Sequence, residues 1–68
     1  MGKKSEPFEV GEGTCIRDTP NALLIQFEDG REIWFPKSVI HEDSEVYEEE
    51  GSGTVIIYEW FAVEKGLA

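Results

Sequence analysis

Apolar and polar positions alternate most cleanly over Ala22–Glu28, where Leu23, Ile25 and Phe27 fall on one side and Leu24, Gln26 and Glu28 on the other. A period of two marks a strand with one buried face. The pattern returns over Arg31–Phe35, with Ile33 and Phe35 on one face and Glu32 and Trp34 opposite. Between the runs stands Glu28-Asp29-Gly30-Arg31, and Asp-Gly is the strongest short hairpin signal because both residues tolerate positive φ. Pro36 ends the second run, having no N–H for a ladder. Lys37–Ile40 reads as a single helical turn that tucks Val39 and Ile40 under the sheet. Upstream, Phe8 and Val10 begin an extended stretch that Gly11 and Gly13 are expected to break. Gly13–Asp18 then reads as its own strand, ended by the turn Thr19-Pro20-Asn21. Gly51-Ser52-Gly53 predicts a turn and Thr54–Tyr58 a β-branched strand. Over Glu59–Leu67 the period changes: Trp60, Val63 and Leu67 share a helical face. Gly66 suits the left-handed position after that helix, and Leu67 the apolar contact beyond it.

These elements predict a mainly β fold: a small antiparallel barrel or strongly curled sheet of four or five strands with a short C-terminal helix. At 68 residues the chain holds one small domain, read as a flexible leader over 1–7 and a barrel-like unit over 8–68. Ordering each residue costs about 1.5 kcal/mol, so one core must offset nearly the whole entropy of folding. Cys15 is the only cysteine, which excludes an intrachain disulfide and a multi-cysteine zinc site. Its place in a strand pattern reads as a small core residue, and a lone thiol fits a reducing, cytoplasmic setting. No apolar run approaches the roughly 20 residues of a membrane span, and no apolar stretch follows the basic Met1–Ser5 as in a secretory signal.

Charge changes the picture. Fifteen Asp and Glu face six Lys and Arg, a net charge of -9, which opposes binding to phosphates and to anionic membranes. Six of the acids fall within positions 42–50: Glu42, Asp43, Glu45, Glu48, Glu49 and Glu50. One reading is a solvated loop or edge kept soluble by its carboxylates. The other is a row that imitates a phosphate backbone and occupies the cleft of a nucleic-acid-handling protein, with Tyr47 as an aromatic anchor. His41, Asp43 and Glu45 recur with period two, but the spacing of a calcium loop is absent, and no metal or cofactor is expected. Cys15 and His41 are the only nucleophile–base pair, with nothing in their spacing to imply contact, so no catalytic residue is assigned. An alternative nucleic-acid surface would use Arg31, Trp34 and Lys37, stacking single-stranded bases on the aromatic ring.

Two stretches carry a resemblance. Glu32-Ile33-Trp34-Phe35-Pro36-Lys37-Ser38-Val39-Ile40 leads into the acidic run, and Glu59-Trp60-Phe61-Ala62-Val63-Glu64-Lys65-Gly66-Leu67 closes the chain. Together, over roughly 22–67, they resemble short proteins of bacteria, bacteriophages and mobile elements. Those share an aromatic-x-Pro-Lys-Ser-x-Ile strand end, an acidic middle and a closing Glu-Trp-x-Ala-x-x-Lys-Gly-Leu helix. The resemblance implies a phage or mobile-element setting and brings no catalytic residues. By analogy, small acidic phage proteins include anti-CRISPR and other anti-defence inhibitors, some of them DNA mimics. Trp34-Phe35-Pro36 with Val39-Ile40 also resembles the strand and one-turn helix near the end of Src-homology-three domains, which implies a small barrel. The Ala-Leu-Tyr-Asp-Tyr-like opening of those domains is absent.

The expectation is therefore a non-enzymatic, acidic binding module whose partner is a protein with a basic surface. Self-association is open, because a small sheet leaves an edge strand to be paired.

Overall fold

One continuous strand, β1 (Pro7–Asp18), takes the place of the two segments expected on either side of Gly11 and Gly13. In the computed structural model, which describes residues 6–67, it is followed by β2 (Ala22–Phe27) and β3 (Glu32–Pro36). A 3₁₀ turn (Lys37–Val39), β4 (Ser52–Tyr58) and α1 (Glu59–Glu64) complete the chain. Most of the leader expected over 1–7 lies outside the described residues, and Pro7 opens β1 opposite Tyr58.

The glycines read as breaks are irregularities within a single strand. Between Glu9 and Gly11 the register with β4 shifts, so Val10 and Gly11 together oppose Val55. The extra residue changes the parity of the strand, so that Phe8 and Val10 before it and Cys15 after it all pack on the core. A second shift, between Cys15 and Arg17, sets Ile16 and Arg17 against Leu24 of β2. Gly13 is required by proximity: a Cβ there would lie 2.8 Å from Ile25 Cγ2 and 3.1 Å from the Gln26 carbonyl oxygen. The β2–β3 hairpin is the one expected, with Gly30 at φ +96° closing its loop and the Phe27 N–H donating to the Arg31 carbonyl at 2.8 Å.

The four strands form one antiparallel sheet in the order β3-β2-β1-β4, a Greek-key arrangement. The sheet is open, so of the two expected forms the curled sheet holds and the closed barrel does not. Its concave side buries Cys15, Leu23, Ile25, Phe27, Phe35, Val55 and Ile57, joined by Val39, Val46, Phe61 and Ala62 from outside the sheet.

The C-terminal helix forms, but with a different buried face. Phe61 and Ala62 point inward, while Trp60 and Val63 stand 41% and 61% exposed. The helix spans only six residues, and the Phe61 ring fixes its orientation by packing 6.1 Å from Phe35. Its end follows expectation: Gly66 adopts φ +76°, its N–H donates to the Val63 carbonyl, and the Leu67 N–H donates to that of Ala62. This is a Schellman cap, with Leu67 packed against the core.

Candidate functional site: the acidic crossover

The connection from β3 to β4 carries the six acids, and two residues inside it tie it down. Val46 is fully buried among the core side chains. Ser44 is buried too, and its Oγ accepts the N–H groups of Val46 (3.2 Å) and Ile56 (3.1 Å) while donating to the Val46 carbonyl at 2.9 Å. The rest of the connection completes the outer edge of β4. His41 and Glu45 donate their N–H groups to the carbonyls of Ile56 and Thr54, both at 2.9 Å. Glu45 Oε1 accepts the Thr54 N–H at 2.9 Å. The exposed edge of a strand, normally a row of unpaired groups, is thereby closed by side chains and loop backbone.

The far end of the crossover is pinned to β1. The Glu50 N–H donates to the Cys15 carbonyl, and the Cys15 N–H to that of Gly51, both at 2.9 Å. Glu50 sits at φ +70°, a left-handed conformation that its neighbours must impose on a non-glycine residue. Asp18 adds a further tie, receiving Lys37 Nζ at 2.7 Å on one oxygen and the Glu49 N–H at 3.3 Å on the other.

The six predicted acids thus divide. Glu45 is exposed, but its carboxylate is committed to the Thr54 N–H, and a Cβ on Gly53 would collide with it. Glu42, Asp43, Glu48, Glu49 and Glu50 all face solvent, with no basic residue among positions 42–50. Tyr47 stands 62% exposed in their midst, at the lip of a hollow of about 470 Å³ lined by Leu23, Lys37, Ile40 and His41. The result is a segment tied to β4 and β1 that carries five exposed acids and one exposed aromatic ring.

His41 and Asp43 are turned to local use as well. The Asp43 N–H donates to His41 Nδ1 at 3.0 Å, which places the proton of the neutral imidazole on Nε2, and the ring packs 5.0 Å from that of Tyr58. Among the described residues no three His, Cys, Asp or Glu side chains converge as metal ligands do. Cys15 is buried, its Sγ donating to the Arg17 carbonyl at 3.1 Å, and burial pushes its thiol pKa up. That shift works against the thiolate a nucleophile needs.

The alternative surface is not gathered in one place. Arg31 lies in the hairpin loop at one end of β3, its Nε 2.7 Å from Asp29 Oδ2 and its guanidinium over the Phe27 ring. Lys37 lies past the other end, held by Asp18. Trp34 stands between them, 46% exposed, with neither cation free beside it.

The Asp18 contact makes an acid-range prediction. Lys37, first, and the Glu49 N–H hold the Asp18 carboxyl below its ordinary 3.8. A depressed pKa in the folded state adds stability above the unfolded value, and that share disappears as pH falls through the folded one. Asp18→Asn is therefore expected to flatten the fall in urea midpoint as pH drops below about 4, relative to wild type. An unchanged acid slope would show that the tie contributes nothing.

Among the described residues no helix is long and apolar enough to cross a membrane. Comparison with protein-family models, with curated proteins and with solved structures finds no match to this chain.

Proposed function

We propose that the chain is a non-catalytic binding module whose acidic crossover engages the basic surface of a nucleic-acid-handling protein, standing in for the phosphates that surface otherwise holds. The observation that supports this best is the seating of the five solvent-facing acids. They lie on a segment fixed by buried Ser44 and Val46 and by the β4 edge, so little ordering is left for the moment of binding. Tyr47 provides the aromatic contact around which such a charged rim gains affinity. The motif resemblance extends the proposal to a phage or mobile-element setting, where the blocked partner is a host defence enzyme of the CRISPR type. Direct binding of single-stranded nucleic acid is the poorer reading, since Arg31 and Lys37 are already paired at opposite ends of β3.

The test is retention of proteins from a bacterial lysate on immobilised chain, wild type against Glu42→Lys/Asp43→Lys/Glu48→Lys/Glu49→Lys. Wild type should retain basic, nucleic-acid-binding proteins that duplex DNA displaces and that elute as salt rises, because screening contracts from about 10 Å at 0.1 M to 3 Å at 1 M. The variant should retain them about tenfold less or worse, as four exposed charges worth up to about 1 kcal/mol each allow. Equal retention by both would sink the proposal, as would a gel shift of single-stranded DNA by the wild-type chain.

A further inference from the structure

The two edges of the sheet are treated differently. At β4 the crossover satisfies the outward backbone groups of Thr54 and Ile56. At β3 no described residue does the same. The bonds from the Phe27 N–H to Arg31 and from the Lys37 N–H to Asn21 mark the two ends of the β2–β3 ladder. Hydrogen-bonded pairs alternate along an antiparallel ladder, so the backbone groups of Ile33 and Phe35 turn to β2, and those of Glu32, Trp34 and Pro36 turn outward. Pro36 loses nothing there, because its missing N–H falls on the outward side. Among the described residues, what stays unpaired is the N–H and C=O of Glu32 and of Trp34, while the Pro36 C=O, at the N-cap of the 3₁₀ turn, accepts the first bond of that turn.

Only an extended chain matches that row. Its flanks say which. The hairpin end of β3 carries Glu28, Asp29 and Glu32 against the single Arg31, whereas at the other end Lys37 is paired with Asp18 and Lys65, just past α1, stands beside Trp34 and Pro36 with no carboxylate partner among the described residues. Lys65 and Phe61 line, with Trp34, Pro36 and Ala22, an apolar groove of about 410 Å³ beside the edge. An antiparallel copy of β3 would set the acidic end of each strand against the basic end of the other.

We propose that β3 is a self-pairing edge, at which a second copy of this chain adds its own β3 antiparallel about a two-fold axis. The four outward N–H groups, Glu32 and Trp34 from each copy, then meet carbonyls of the facing strand, and the half-exposed indoles are covered. The densest acids belong to the crossover, bonded to β4 and β1, and Glu42 and Glu49 approach this edge only near Lys37, across the hollow and through Asp18. At 0.15 M salt the Debye length is about 8 Å, so repulsion between distant carboxylates is damped while contacts at the edge persist. The pairing is independent of the crossover's proposed partner.

Sedimentation equilibrium of the wild-type chain over a concentration series up to about 1 mM, the weak end of measurable association, tests the idea. A monomer–dimer equilibrium is expected. Trp34→Lys, which places a charge on the edge and touches no ladder bond to β2, should abolish the dimer while leaving the circular dichroism spectrum and thermal midpoint nearly unchanged. Lys65→Glu should raise the dimer dissociation constant several-fold. A wild-type chain that stays monomeric throughout overturns the proposal and leaves the edge to an extended segment of another protein. A dimer that Trp34→Lys does not weaken overturns it equally.

Discussion

Phe35→Ala is expected to leave most of the protein unfolded in water at room temperature. The ring is fully buried at the meeting point of sheet and helix, edge-on to Phe27 at 6.1 Å and tilted against Phe61 at 6.1 Å. Removing a buried phenyl ring costs about 3–5 kcal/mol, transfer and cavity together. A domain of this size carries only about 3–10 kcal/mol in total, and with no disulfide it has no reserve outside the core. A urea titration followed by tryptophan fluorescence should show little or no folded baseline for Phe35→Ala. Phe35→Leu, which fills much of the space, should keep a clear transition. A loss under about 1 kcal/mol for the alanine variant would mean that the sheet and α1 do not depend on this contact.

Ser44→Ala is the second large effect, and it acts on the crossover. The substitution deletes a single oxygen, yet that oxygen is the acceptor for two N–H groups, those of Val46 and Ile56. Each donor left without a partner in a buried site costs about 1–3 kcal/mol. Amide hydrogen exchange should accelerate at Val46, Ile56 and the Thr54 N–H beside them, and much less at Ile25 in the middle of the sheet. If the crossover binds a basic partner as proposed, that affinity should fall although no charge has changed. Unaltered protection at Ile56 would show that the hydroxyl is not what holds the crossover to β4.

How much of this was written in the sequence depends on the range of the forces involved. The β2–β3 hairpin and the cap at Gly66 follow from local chemistry, alternation in one case and a required positive φ in the other, and both stand as read. Gly11 and Gly13 carry the same local signal as a break, but pairing to Val55 and Gly53 on a strand far along the chain overrides it. The helix buries a face other than the periodic one for a related reason. Periodicity counts Trp60 and Val63 as the apolar stripe, whereas the space available at the end of the sheet admits Phe61 and Ala62. The acidic run could be located by composition alone. That Glu45 closes a strand edge, and that Ser44 and Asp18 anchor its neighbours, had no sequence pattern to announce it, since each partner lies in another element. A Ser among acids, or an Asp at the end of a strand, looks like any other polar residue.

The order of the strands also sets the order of events in folding. β1, β2 and β3 meet through short turns, so their pairing closes small loops at little entropic expense. β4 joins the sheet only by reaching back to β1, where Pro7 faces Tyr58 across almost the whole described chain. Contacts of that kind come late and slow the approach to the native state. The crossover completes its bonds only once β4 has docked, because Thr54 and Ile56 are its partners along that edge, while its far end is held by Cys15 and Asp18 of β1. The Ser44–Glu45 half of the acidic crossover is therefore the last to complete its bonds, and the first to lose them when β4 lets go.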